Sequence, residues 1–167
     1  MSLRTYLQDH PAFMVLSWRM TERMLRWIAP LFVRLNPERA SRFLHPLEML
    51  IKRPLFDCRE CGQCLLHYTG MTCPMTCPKN LRNGPCGGVR LDGTCEVFPD
   101  RACVWLKAVE RIERTPWPGE IRRLNPPVDC RLQGTSAWVN YAVGRDRTVT
   151  GSDADVRRAD EVLGGEA

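Results

Sequence analysis

The sequence predicts a small α-plus-irregular fold: a cysteine-rich, metal-bound loop core with N-terminal amphipathic helices and little strand. Three observations carry that prediction. Eight of the nine cysteines fall within the 46 residues between positions 58 and 103. Glycines and prolines interrupt that same stretch throughout, leaving no long periodic run. Ahead of it, apolar residues recur at the three- and four-residue steps of a helix.

Composition narrows the class of protein. With 167 residues, 44% hydrophobic and 26% charged, the chain is close to the globular average, so part of it packs despite 13 prolines and 12 glycines. The net charge of +5 arises mainly in residues 1–52, which carry eight basic and four acidic side chains. No basic stripe with interleaved aromatics occurs, which argues against nucleic acid as a partner. The first ten residues lack the basic start, apolar run and cleavage site of a secretory signal. The longest uncharged apolar stretches, 11–18 and 27–33, are far short of the roughly 20 residues of a membrane span. A cytoplasmic location with no membrane span is therefore expected, and reductants there disfavour disulfides. An odd, tightly clustered cysteine count then points to metal.

Three parts are expected: an N-terminal helical arm (1–52), a cysteine-rich metal-cluster domain (53–119) and a C-terminal extension (120–167) with a partly flexible tail. In the arm, Phe13, Leu16, Met20, Met24, Trp27, Ile28, Leu31 and Leu35 share one broad face of a helix over 11–35, with arginines opposite and a candidate kink at Pro30. Asn36-Pro37 is a helix start, the amide capping free backbone donors and the proline fixing the first turn. The second helix should reach residue 51, bent at His45-Pro46. An apolar face this large on a small cluster protein suits docking on a larger subunit. In the middle part Gly62, Gly70, Gly84, Gly87, Gly88 and Gly93 predict loops that metal must organise. A short helix over 102–115 should place Trp105, Leu106, Val109 and Ile112 on one side, stopped by Pro116-Trp117-Pro118-Gly119. Residues 137–143 read as the one strand-like stretch. No glycine-rich nucleotide loop and no nucleophile with an evident base can be picked out, so the chain reads as a non-catalytic subunit.

The chemistry lies in the spacing of Cys58, Cys61, Cys64, Cys73, Cys77, Cys86, Cys95 and Cys103. Three cysteines at successive three-residue steps can wrap one face of a cubane, each thiolate reaching a different iron, with a fourth ligand arriving from elsewhere. Eight thiolates match two [4Fe-4S] clusters of four ligands each. Five cysteines compete to be the fourth partner of the first three, and the spacing does not choose among them. Zinc is the alternative, since cysteine pairs also build tetrahedral thiolate sites, although Cys64 is surplus to the usual two-pair scheme. Asn83-Gly84-Pro85-Cys86-Gly87-Gly88 reads as a tight turn whose glycines let backbone amides approach a cluster. His67 is a lesser ligand candidate, better read as a supporting group, and Cys130 as an ordinary thiol.

Asp57-Cys58-Arg59-Glu60-Cys61-Gly62-Gln63-Cys64, Cys73-Pro74-Met75-Thr76-Cys77-Pro78-Lys79, the Asn83 to Gly88 turn, Gly93-x-Cys95-Glu96 and Cys103-x-Trp105 follow one another in order. Together they resemble the methylenetetrahydrofolate reductase C-terminal domain family, including the small iron-sulfur subunit paired with the catalytic reductase in some bacteria. The resemblance covers residues 56–114 and implies a role in one-carbon metabolism. A separate flavoprotein methylenetetrahydrofolate reductase-like subunit would perform the folate chemistry, with flavin only in that partner. This chain would support it or pass electrons to it. Other folate or methyl-transfer enzymes are alternative partners. The alternative function is a zinc-bound structural module that docks a one-carbon enzyme without electron transfer.

Overall fold

The computed structural model describes Tyr6 and residues 10–147. The C-terminal tail expected to be loosely held lies outside the described residues. Among the described residues four α-helices carry the architecture: α1 (Pro11–Arg34), α2 (Pro37–Phe56), α3 (Val104–Glu113) and α4 (Ala137–Ala142). Single 3-10 turns at Pro74–Thr76, Pro118–Arg122, Cys130–Leu132 and Arg145–Arg147 punctuate the loops. Strand is limited, among the described residues, to two isolated antiparallel bridges, Val89 with Cys95 and Thr94 with Ala102. No helix among them is long and apolar enough to cross a membrane.

The α1 helix carries two apolar stripes rather than one. Met14, Leu25 and Phe32 are buried, with Trp18 and Ile28 packed beside them. The residues that the periodicity put on one face are, apart from Ile28, largely exposed: Phe13, Leu16, Met20, Met24, Trp27, Leu31 and Leu35. At about 100° per residue the two sets lie roughly a quarter-turn apart. The buried stripe has two neighbours. Its first half joins Phe56, Leu66 and Met71 in a cluster that also touches Cys64 and Cys73. Its second half joins Val139 of α4, which is fully buried.

As expected, Asn36 caps α2, its side chain accepting from the Glu38 amide at 3.0 Å. The helix then runs through Pro46 and Pro54 to Phe56, five residues past the expected end, because Glu48, Met49, Lys52 and Phe56 continue a buried face. In α3 the buried residues are Trp105, Ala108 and Ile112, whereas Leu106 and Val109 are exposed.

The strand-like reading of 137–143 is wrong: this stretch is α4. The Ser136 side chain caps it by accepting from the Val139 amide at 3.4 Å, and Ala137, Val139 and Asn140 supply a helical buried face. Tertiary packing on α1 and α2 overrides the β-propensity of its aromatic and branched residues.

Candidate metal centres

The eight clustered cysteines line two pockets, four to each, and Cys61 and Cys77 also share a third. Cys58, Cys61, Cys64 and Cys73 line an inner pocket together with α2. Cys77, Cys86, Cys95 and Cys103 line an outer one beside α3. All are free thiols. Of the five later cysteines, Cys73 is the one that lines the same inner pocket as the triplet. Among the described residues no group of three or more Cys, His, Asp or Glu side chains is placed to hold a metal ion.

The inner group is positioned by its flanks. Cys58 follows the end of α2, where Asp57 turns left-handed at φ 49°. Gly62 needs its φ of +72°, and a Cβ there would fall 2.1 Å from the Leu132 carbonyl oxygen. The C-terminal segment clamps this loop from outside. The Asn140 amide donates to the Gly62 carbonyl at 2.9 Å, the Gly134 amide to that of Glu60 at 2.8 Å, and buried Gln63 accepts from the Asp129 amide at 2.7 Å. Cys73 and Cys77 bracket the turn Pro74–Thr76. Four residue steps keep their Cα atoms within about 14 Å even if extended, and a 3-10 turn is shorter.

Two buried cations face the inner thiols. Lys52 is held by Glu48 at 2.5 Å, with both side chains buried. Burial works against its ammonium, but the Cys64 sulfur in its ionised form and the Glu48 carboxylate outweigh it and raise its pKa above the ordinary lysine value. Arg82 also lines the pocket and donates to the Gln63 carbonyl at 3.5 Å, while its Nε is buried with no hydrogen-bond partner. Burial pushes Cys58 up to about 11 and Cys73 up to about 12, and raises Cys64 despite Lys52. These thiols surrender their protons only to a strong Lewis acid. Four thiols, two buried cations and one unspent N–H donor fit an anionic metal cluster. Lys52 and Arg82 escaped the sequence reading because no spacing marks a cation that reaches a site from another element.

The outer group rests on the two bridges: at Thr94–Ala102 the Cys95 amide donates to the Arg101 carbonyl and the Cys103 amide to that of Gly93, both at 2.9 Å, and at Val89–Cys95 the Arg90 amide donates to the Thr94 carbonyl at 3.0 Å. Cys103 is also the residue preceding α3. The Gly88 amide reaches the Cys86 sulfur at 3.3 Å, and a Cβ on Gly88 would strike the Glu96 carboxylate, which pairs with Lys79. Trp105 closes the wall, its indole N–H donating to the Leu81 carbonyl at 3.3 Å.

Cys130 stands apart and exposed. His67 lines neither pocket. It stacks on Trp18 at 4.5 Å and 4°, with both ring nitrogens buried and without partners. No curated protein and no solved structure matches the chain. A family model described as the C-terminal region of methylene-tetrahydrofolate reductase matches residues 38–131. That span includes all eight clustered cysteines and more than half of the sequence, and the chain belongs to this methylene-tetrahydrofolate reductase C-terminal family.

Proposed function

We propose that this chain is an iron-sulfur accessory subunit of a flavin-dependent methylenetetrahydrofolate reductase-type partner, supporting that enzyme or passing electrons toward its flavin. The observation that carries this reading is the division of eight cysteines into two groups of four, joined by the short turn from Cys73 to Cys77. Four thiols lining each pocket match the four irons of a cubane, which takes one thiolate at each iron.

Bound in these pockets, [4Fe-4S] clusters would supply reversible one-electron carriers. Cys58, Cys61, Cys64 and Cys73 would hold the inner one, and Cys77, Cys86, Cys95 and Cys103 the outer. Lys52 and Arg82 offset the charge of the inner thiolates, and the Gly88 amide hydrogen-bonds a sulfur of the outer set. The partner docks on the exposed apolar stripe of α1.

Anaerobic purification with iron, sulfide and zinc analysis, and electron paramagnetic resonance before and after reduction, tests the reading. About eight irons per chain and [4Fe-4S] signals on reduction are expected. Stoichiometric zinc without iron would replace this function with a structural module that docks a one-carbon enzyme.

A further inference from the structure

Away from both cysteine pockets, α1, the turn after Cys64, the segment after α3 and the C-terminal 3-10 turn surround an open basin. Its cations are Arg19, Arg26, Arg123 and Arg147, and its carboxylates are Glu22 and Glu120. Glu22 is committed, pairing with Arg26 at 2.6 Å and accepting the Tyr141 hydroxyl at 2.9 Å. The other three arginines lie over rings: Arg19 is 4.4 Å from the Trp117 centroid, Arg123 4.9 Å from Tyr68 and Arg147 5.5 Å from Tyr141. Asp146 is the carboxylate that Arg147 and Arg123 act on: burial raises its pKa against the pull of these two cations.

A guanidinium lying over a ring uses its face, while its five N–H donors remain in the guanidinium plane. The rings therefore hold three donor forks in place, removing rotamer freedom that binding would otherwise have to remove. With Arg26 and Glu22 cancelling, the three remaining arginines outweigh Glu120 and Asp146 together and leave the basin positive. His67, behind the same wall, feels this field. Burial, then Arg147 and Arg123, push its pKa down to about 3.

The geometry points to a binding site for a polyvalent oxyanion, a small molecule bearing phosphate or clustered carboxylate groups, held by Arg19, Arg123 and Arg147. Bidentate forks match the oxygens of either group. The site is independent of the cysteine pockets and of which metal they take.

Isothermal titration of the full chain with pyrophosphate and, separately, with citrate tests it. Tryptophan fluorescence gives a second signal, because Trp18 and Trp117 line the basin. Saturable binding of either anion supports the site, and preference for one assigns phosphate or carboxylate chemistry. Arg123→Gln combined with Arg147→Gln should weaken binding about tenfold or more, the loss of charge-assisted contacts. Arg39→Gln, on the exposed side of α2, should leave it unchanged. If the double variant does not fold, protection of Arg123 and Arg147 from phenylglyoxal by the bound anion in the wild-type chain, read by peptide mass spectrometry, serves instead. Absence of binding to both anions at millimolar concentration, equal weakening by Arg39→Gln, or no protection of these two arginines overturns the proposal.

Discussion

Glu48 and Lys52, one helical turn apart on α2, form a buried ion pair at 2.5 Å on the wall of the inner cysteine pocket. The carboxylate also accepts the Ser136 hydroxyl at 2.7 Å, and the Ser136 amide in turn donates to Ser41 at 2.7 Å. One network thus joins α2, the cap of α4 and the cysteine loop. Removing one member of a buried pair strands the other charge, at a cost of about 3–5 kcal/mol. Lys52→Met should therefore destabilise the chain by that order in urea unfolding. Adding Glu48→Gln should recover part of the loss, because no bare charge then remains buried. Strictly additive losses would argue against coupling between the two.

Cys73 and Cys77 are four residues apart yet line different pockets. Cys73→Ser should deplete the inner centre and Cys77→Ser the outer, each lowering bound metal by about half and leaving different resonance signals. Identical residual spectra from the two variants would sink the division into inner and outer groups. Cys61→Ser should lower the melting temperature as well as the metal content, since its loop has little apolar core beyond what metal organises.

His67 supplies a pH dependence of stability with a definite sign. Its pKa falls from 6.5 to about 3 in the fold, through burial first and then the nearby arginines. The unfolded chain therefore binds the proton more readily. This contribution is fully present above 6.5 and is lost progressively as the pH falls from there toward 3. Between pH 7 and pH 5.5 the loss amounts to about 1 kcal/mol. His67→Phe keeps a ring against Trp18 and should flatten that part of the curve, measured as the difference between variant and wild type in urea unfolding at the two pH values. Parallel curves would show that His67 does not titrate on unfolding.

Legibility from sequence differed by element. Asn36-Pro37 announced α2, because a cap and an N1 proline act locally. Its last turn was hidden, since Glu48 and Lys52 occupy the buried face and an apolar count treats them as surface. The helix α4 was also hidden: six residues are too few to display a helical period against the alternating look of Trp138, Val139 and Tyr141. Ser136 was the available signal. The eight clustered cysteines stood out in the sequence as metal-ligand candidates because thiols at such short spacing have few other uses where disulfides are disfavoured. Their division into fours did not, because Cys73 and Cys77 are separated by a turn whose direction depends on long-range packing.

The apolar stripe of α1 gives the sharpest test of partnership. Leu16, Trp27 and Leu31 are 57%, 82% and 50% exposed, whereas the residues that hold α1 to the rest of the fold, Met14, Leu25 and Phe32, are 5% exposed or less. The proposed docking stripe and the stripe that packs internally thus lie on different faces of one helix, and substitutions can separate them. Changing Leu16, Trp27 and Leu31 to glutamate removes apolar contact from the exposed stripe while sparing the buried one. Surface changes of this kind usually alter stability by no more than about 0.5 kcal/mol each. Burial of charge at an interface centre instead costs several kcal/mol, enough to release a partner. The expected outcome is loss of a co-purifying flavoprotein from the native cell, with metal content and melting temperature close to wild type. Loss of metal together with the partner would place the stripe in the internal packing of this chain. Retention of the flavoprotein by the triple variant would move the docking surface elsewhere, with the exposed Phe43, Leu47 and Leu50 of α2 the next face to test.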